Sequence, residues 1–194
     1  MSDTVTNIRL AGVGGQGILV ASEVLCEALL ASGHDVKKSE VHGMSQRGGT
    51  VNSDVRFGPK VYSPIIPEGQ VGILLAFERM EALRYLPSLK HGGTVVVNTQ
   101  RILPAAVAAG KVAYPADVEE QLARWAGRVV PVDALDAAAQ LGSPRSANVF
   151  LLGVLSGLLD ITPAEWEEAI RARFRTKGVE GNLRAFAAGR AVSA

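Results

Sequence analysis

A glycine-rich turn near the N-terminus is the first segment whose residue types and spacing could do chemistry. Residues 12–17 read GVGGQG and separate an apolar run typical of a strand from a run with helical spacing. Glycines permit a tight turn and a close approach of the backbone to a ligand, while N–H groups at the start of a helix attract an anion. Glu40 ends the next predicted strand, where dinucleotide-binding folds place the carboxylate that binds a ribose.

This pattern alone supports two interpretations equally. In one, the turn and Glu40 bind a nicotinamide dinucleotide. In the other, the glycines only allow the helix to pack on the strand, and Glu40 is an ordinary charge at a strand end. A self-sufficient NAD(P)-dependent oxidoreductase also needs an acid or base placed for hydride transfer, and the sequence has no Tyr-x-x-x-Lys motif. A non-catalytic nucleotide-binding protein is a further alternative.

A second polar segment begins beside Glu40. Residues 39–49, SEVHGMSQRGG, carry hydroxyl, imidazole, amide and guanidinium groups within a few positions of the strand end. In open α/β sheets the ligand-binding loops gather at the carboxyl ends of the strands, so the two glycine-rich segments should meet at one edge. The guanidinium of Arg47 matches the geometry of a phosphate or a carboxylate. The alternative is a solvated loop with Arg47 in a surface ion pair, but the convergence of the two segments favours a binding role.

The spacing of apolar residues predicts the elements that hold these segments. Strands are expected at residues 7–13, 35–41, 51–57, 71–77, 94–97 and 129–132. Helices are expected at residues 18–32, 78–86, 134–141, 148–159, 163–174 and 179–190. The alternation in residues 51–57 indicates a strand with one wetter face at a sheet edge.

These elements predict an α/β fold: a Rossmann-like open, mostly parallel sheet with flanking helices and a C-terminal helical portion. Residues 1–194 are expected to form a single domain, with the helices from about residue 145 packed on it. The first strand, the glycine turn, the first helix and the second strand should make a βαβ unit.

Composition excludes several classes of function. The formal net charge of +1 over 194 residues gives no reason to expect nucleic acid or an anionic membrane as a partner. The single cysteine, Cys26, cannot form an intrachain disulfide or hold an iron–sulfur cluster, and three scattered histidines do not have the spacing of a zinc site. Neither a signal-peptide pattern nor an apolar run of transmembrane length is present, so a cytoplasmic protein is expected.

Four blocks of the sequence carry a specific family resemblance. They are GVGGQGILVASEVL from residue 12, SEVHGMSQRGGTVNSDVRFG from residue 39, LLAFERMEALRYLPSLKHGGTVVVNT from residue 74 and NVFLLG from residue 148. The chain resembles the gamma domain of the pyruvate/2-ketoisovalerate:ferredoxin oxidoreductase family, and within it the small (beta) subunits of the indolepyruvate type. The two glycine-rich blocks are the most specific part, and residues 103–139 are the least.

The resemblance implies oxidative decarboxylation of a 2-oxoacid to an acyl-CoA, with coenzyme A as co-substrate and electrons passed to ferredoxin. It implies a large alpha subunit that carries thiamine diphosphate, Mg and 4Fe–4S clusters. This chain should bind no cofactor alone and should be inactive alone; it also has no Gly-Asp-Gly segment of the kind that holds magnesium beside thiamine diphosphate. Neither nucleic acid nor a membrane is expected as a partner.

The predicted role of this chain is therefore to bind, and no residue is assigned as a catalytic acid, base or nucleophile or as a metal ligand. The predicted binding residues are Gly12, Gly14, Gly15, Gln16, Gly17, Glu40, His42, Ser45, Gln46, Arg47, Gly48 and Asn148. Their ligand is an anionic group of coenzyme A or of the substrate, or else a loop of the large subunit. The identity of the 2-oxoacid does not follow from the residues.

Overall fold

A six-stranded sheet forms the centre of the computed structural model, which describes residues 4–42, 49–175 and 178–193. The strands cross the sheet in the order β2-β3-β1-β4-β5-β6. Their bounds are Thr6–Val13 (β1), Asp35–His42 (β2), Thr50–Gly58 (β3), Val71–Ala76 (β4), Leu89–Asn98 (β5) and Arg128–Val132 (β6). Each strand that the sequence predicts is confirmed; β5 begins five residues before its predicted start, and the other strand ends differ by at most one residue.

Five of the six strands run in the same direction. β1, β4, β5 and β6 pair in parallel in turn, while β3 is antiparallel to both of its neighbours, β1 and β2. β2 therefore has the direction of β1 but is separated from it by β3. The predicted α/β fold with an open, mostly parallel sheet is confirmed, and the sheet is mixed because of β3.

The edge position predicted for β3 is wrong, since β2 lies at the edge and β3 lies inside the sheet. Two of the three alternating polar residues of β3 do not face water: Asn52 and Asp54 are only 7% and 8% exposed. Asp54 accepts two hydrogen bonds of 2.7 Å from the guanidinium of Arg9 on β1. The hydroxyl of Tyr85 donates to Asn52 Oδ1 at 3.0 Å. Partners in the protein, rather than solvent, satisfy this polar face.

Helices cover both faces of the sheet. In the ranges given above they are Ile18–Ala31 (α1), Arg79–Tyr85 (α2), Ala105–Ala108 (α3), Val118–Trp125 (α4), Ala134–Gln140 (α5), Ala147–Ser156 (α6), Pro163–Arg173 (α7) and Val179–Ser193 (α8). The six predicted helices are confirmed, whereas α3 and α4 have no counterpart in the prediction. None of the helices in these ranges is long and apolar enough to cross a membrane.

The larger apolar layer lies between the sheet and helices α1, α6, α7 and α8. Ile8 and Leu10 of β1 face this layer together with Leu75 of β4. Every residue of α6 from Asn148 onward is buried, as expected for a helix that is apolar on nearly all sides. The opposite layer is smaller and places α2 and α4 on the β4 and β5 strands. The two layers fix the carboxyl ends of β1, β4, β5 and β6 at one edge of the sheet.

Candidate functional site

The glycine turn lies at the carboxyl edge of the sheet, between β1 and α1. Gly15 and Gly17 have φ angles of 103° and 78°, which residues other than glycine rarely adopt. No side chain caps the start of α1, and its first hydrogen bond runs from Ala21 N–H to Gly17 O at 3.0 Å. The preceding N–H groups therefore have no partner within the helix. Gly14 N–H donates to Gly49 O at 2.8 Å and joins the turn to the start of β3.

Close packing explains two of the glycines. A Cβ at Gly12 would lie 2.8 Å from Phe77 Cβ and 2.7 Å from Gln16 Oε1. A Cβ at Gly17 would lie 2.6 Å from Asn148 Nδ2. A Cβ at Gly15, by contrast, would meet nothing within 4 Å. The surface of the turn at Gly15 is therefore open to a ligand, while Gly12 and Gly17 allow the turn to pack against its neighbours.

The side chain of Gln16 holds the turn in place. Its Oε1 accepts from the N–H of Val13 at 2.8 Å, and its Nε2 donates to the carbonyl oxygen of Phe77, also at 2.8 Å. The same Nε2 donates to Gln100 Oε1 at 3.0 Å. These bonds connect the end of β1 to the ends of β4 and β5.

A second amide, Asn98, extends this network to the start of α5, which follows β6. Asn98 is 2% exposed, and its Oδ1 accepts from the N–H of Ala134, the first residue of α5, at 3.1 Å. Its Nδ2 donates to Phe77 O at 3.1 Å and to Gln100 Oε1 at 3.4 Å. Sequence patterns did not indicate Asn98 or Gln100, because each lies at a strand end without a recognisable motif.

Asn148, one of the predicted binding residues, lies near the start of α6 and connects this helix to the turn. It is 8% exposed; its Nδ2 donates to Gly17 O at 3.3 Å and its Oδ1 accepts from Val149 N–H at 3.0 Å. The structure thus brings Asn148 together with the glycine turn, across 131 positions of sequence. Both of its polar atoms are occupied in holding the start of α6 against the turn.

A cleft of about 460 Å³ opens between the turn, the ends of the strands and the α5–α6 junction. Its lining residues are Gly15, Gln16, Gly17, Phe77, Asn98, Gln100, Leu135, Pro144, Arg145, Ala147, Asn148 and Leu151. None of them is acidic. Arg145 is exposed at the rim and has no ion pair within the described part of the chain. The cleft is thus suited to a ligand with hydrogen-bond acceptors or negative charge.

Glu40 is not brought to the glycine turn. In the register of the sheet it lies beside Ser53, which in turn lies beside Leu10 of β1, so β3 separates Glu40 from β1. Its carboxylate is 2.5 Å from Lys38 Nζ. In dinucleotide-binding folds, the strand that bears the ribose-binding carboxylate is a direct neighbour of the first strand. The inserted β3 removes that arrangement.

The remaining predicted binding residues lie between β2 and β3. His42 ends β2, and its side chain lies outside the described part of the chain. Ser45, Gln46, Arg47 and Gly48 also lie outside it. Gly49, the next residue along, bonds to Gly14 of the turn. The described chain therefore resumes, at Gly49, beside the glycine turn.

Two buried carboxylates follow β4 beside this edge. Glu78 accepts from the hydroxyl of Tyr114 at 2.6 Å and from the N–H of Glu81 at 3.0 Å, so it caps α2. Burial, and then the bond to Glu78, raise the pKa of Tyr114. Burial raises the pKa of Glu81, and its ion pair with Arg84 opposes that effect. Neither carboxylate lines the cleft, and both fix the segment after β4.

Comparison with known proteins identifies the family of this chain. The family model described as pyruvate ferredoxin/flavodoxin oxidoreductase matches residues 7–192, so the chain belongs to that family. It is 41% identical over 191 residues to the indolepyruvate oxidoreductase subunit IorB of Thermococcus kodakarensis, covering 94% of this chain and 93% of that one. It is 40% identical over 187 residues to IorB of Archaeoglobus fulgidus, with coverage of 94% and 92%. The resemblance found in the sequence is confirmed.

Solved structures agree with the fold. The gamma subunit of a keto/oxoacid ferredoxin oxidoreductase from Geobacter sulfurreducens superposes with a TM-score of 0.72 at 24% identity, over 97% of this chain and 98% of that one. The 2-oxoglutarate:ferredoxin oxidoreductase from Magnetococcus marinus, with 2-oxoglutarate, coenzyme A and succinyl-CoA bound, superposes with a TM-score of 0.78 at 24% identity. That match covers 99% of this chain and 31% of the other. At such identity these two likenesses support the fold alone.

Proposed function

We propose that this chain is the small subunit of an indolepyruvate-type 2-oxoacid:ferredoxin oxidoreductase. The complex would oxidise and decarboxylate an aryl 2-oxoacid, form its acyl-CoA and pass electrons to ferredoxin. The likeness to the IorB subunits over nearly their whole length supports this assignment. The extent of the chain as one domain, residues 1–194, stays a prediction, as does a cytoplasmic location.

In this proposal the thiamine diphosphate, Mg and 4Fe–4S clusters belong to the large subunit. Thiamine supplies an electron sink for decarboxylation, and the clusters accept single electrons. Within the described ranges, no three His, Cys, Asp or Glu residues are grouped so that they could hold a metal. Burial raises the pKa of Cys26, the single cysteine, to about 11, so it is not a ready metal ligand. The chain alone should have no turnover.

The chain's own contribution is a wall of a shared active site. One observation carries this: the cleft at the carboxyl edge presents the Nε2 group of Gln100, the open end of α1 and Arg145, with no carboxylate among the residues that line it. Coenzyme A bears phosphates and amide carbonyls, which are acceptors for such groups. The glycine turn, together with His42, Ser45, Gln46, Arg47 and Gly48, would hold one of its anionic groups beside the large subunit. A loop of the large subunit is the other candidate occupant.

Reconstitution with the large subunit tests this function. Viologen reduction by indolepyruvate and CoA should require both chains. Arg47→Ala should raise the KM for CoA about tenfold or more, because a hydrogen bond to a charged group is lost. Arg128→Ala, an exposed residue at the opposite end of the parallel strands, is the matched control and should change nothing. The role of Arg47 is lost if Arg47→Ala leaves assembly, CoA affinity and turnover unchanged.

The alternative of a self-sufficient NAD(P)-dependent enzyme makes the opposite prediction for the isolated chain. Thermal unfolding with NAD, NADP, CoA and thiamine diphosphate separates the two. The position of Glu40, two strands away from β1, argues against a dinucleotide. A large rise of Tm with NAD in the absence of the large subunit would overturn the subunit assignment. The same result would fit either an NAD(P)-dependent enzyme or a non-catalytic nucleotide-binding protein.

A further inference from the structure

The orientation of one amide in the cleft is dictated by backbone groups. A backbone N–H can only donate, so the atom of Gln16 that faces Val13 N–H must be the oxygen. The other end of that amide, the Nε2 group, must then be the donor that faces Gln100. The atom of Gln100 that receives it is therefore an oxygen. Gln100 cannot be flipped without placing two amide N–H groups against each other.

Asn98 imposes the same orientation on Gln100 independently. The N–H of Ala134 fixes the Asn98 oxygen, at 3.1 Å. The Asn98 amide nitrogen is thereby left to donate to Gln100 Oε1, at 3.4 Å. Gln100 Oε1 thus receives two donors, one from the turn after β1 and one from the end of β5. Its Nε2 donates to no described residue, and the residue is half-buried in the lining of the cleft.

We propose that Gln100 Nε2 is a fixed hydrogen-bond donor that determines how coenzyme A is held in the cleft, by binding a carbonyl or phosphate oxygen of that co-substrate. This inference rests on the proposed function. Gln100 is a binding and specificity residue, and it takes no part in proton transfer. The amides of Gln16 and Asn98 both hold its Oε1, so little side-chain entropy remains to be lost when the ligand binds.

Two substitutions separate this role from a structural one. Gln100→Met keeps the size of the side chain but removes the donor without adding charge. Gln16 and Asn98 each keep their bond to Phe77 O in this variant. Gln100→Glu keeps an oxygen for both amides and replaces the donor by a second acceptor. Gln70→Glu, on an exposed side chain, is the control for the added charge.

The measurement is steady-state viologen reduction by the reconstituted complex. For Gln100→Met we expect the KM for CoA to rise about five- to tenfold, and for Gln100→Glu by more than tenfold, because a lost hydrogen bond is then joined by repulsion between acceptors. The values of kcat, the KM for the 2-oxoacid and the affinity between subunits should stay within a factor of two. Gln70→Glu should behave as the parent chain.

Three outcomes overturn the inference. In the first, the KM for CoA is unchanged in Gln100→Met, even if Gln100→Glu raises it, because charge alone then explains the effect. In the second, the KM for the 2-oxoacid or the affinity for the large subunit changes instead. In the third, Tm and kcat fall together with no selective change in the KM for CoA. If the parent complex shows no CoA-dependent oxidation at all, the proposed function itself is wrong. That result is distinct from the three outcomes above, in which the parent complex is active and only the role of Gln100 fails.

Discussion

Gly17 combines two constraints at a single residue. Its φ of 78° is a conformation that costs other residues energy, and its missing Cβ leaves room for the amide of Asn148. The first constraint shapes the entry to α1, and the second allows α6 to lie against the turn. Gly33, after the end of α1, has a similar φ of 83° but would meet nothing within 4 Å if it carried a Cβ.

This difference makes a pair of substitutions informative. Gly33→Ala should cost about 1–2 kcal/mol of unfolding free energy, because of its left-handed conformation alone. Gly17→Ala should cost at least about 1 kcal/mol more, because Asn148 must also move. Urea unfolding at equilibrium measures both. Equal losses in the two variants would mean that the contact with Asn148 does not constrain Gly17.

At the scale of single residues, the sequence predicts some residues of the cleft and misses others. The glycine turn and Gln16 follow from a local motif, in which the spacing itself carries the information. Gln100 meets Gln16 across 84 positions, and Arg145 reaches the cleft from the α5–α6 junction. No periodicity marks such residues, since only the folded chain places them beside the turn. The residues between β2 and β3 stay predictions of the sequence.

At the scale of the elements, helices α6 and α8 cross with very little space between their backbones. A Cβ at Gly153 would lie 2.1 Å from the carbonyl oxygen of Phe186, and a Cβ at Gly189 would lie 2.0 Å from that of Phe150. Both obstacles are backbone atoms, so no side-chain rotation relieves them. The two helices can therefore approach closely only because each contributes a glycine at the crossing.

Gly153→Ala should consequently force α6 and α8 apart. We expect it to lower the free energy of unfolding by about 3 kcal/mol or more, since overpacking against backbone is not relieved locally. Gly181→Ala on α8 is the control, because its Cβ would meet only the side chain of Ser143, with Oγ at 3.0 Å and Cβ at 3.3 Å, and no backbone atom. The control should change stability by about 1 kcal/mol at most. Should both variants unfold at the parent urea midpoint, the crossing would be looser than these distances indicate.

The order of the elements was harder to predict than the elements themselves. Apolar runs of strand length and the helical spacing of α1 and α8 are local signals, and they were sufficient. The position of β3 was predicted wrongly because its polar alternation is typical of an edge strand. In the structure the ion pair of Asp54 with Arg9 satisfies the charge of Asp54, so this carboxylate can be buried inside the sheet. Helix α4 was missed because only Val118 and Leu122 of its residues are buried, which is too short an apolar stripe to recognise.

At the scale of the whole molecule, the positive and negative charges nearly cancel, so the electrostatic field in the cleft comes from groups close to it. The net charge of +1 provides no long-range attraction for an anionic co-substrate. In the proposed function, the attraction comes from the groups that line the cleft, in particular the open start of α1 and Arg145. Interactions of this kind between exposed charges are screened over about 8–10 Å at ordinary salt concentrations.

Arg145→Gln should therefore change the salt dependence of the complex as well as its affinity for CoA. At low ionic strength we expect the KM for CoA to rise about five- to tenfold in the variant, because one charge-assisted contact is removed at the rim. With increasing salt the parent KM should rise toward that of the variant, since the lost term is the one that salt screens. Arg128→Gln, an exposed residue at the opposite end of the parallel strands, should retain the parent salt dependence. Steady-state assays between about 20 and 500 mM salt would measure this; parallel curves for parent and Arg145→Gln would mean that Arg145 does not face the anion.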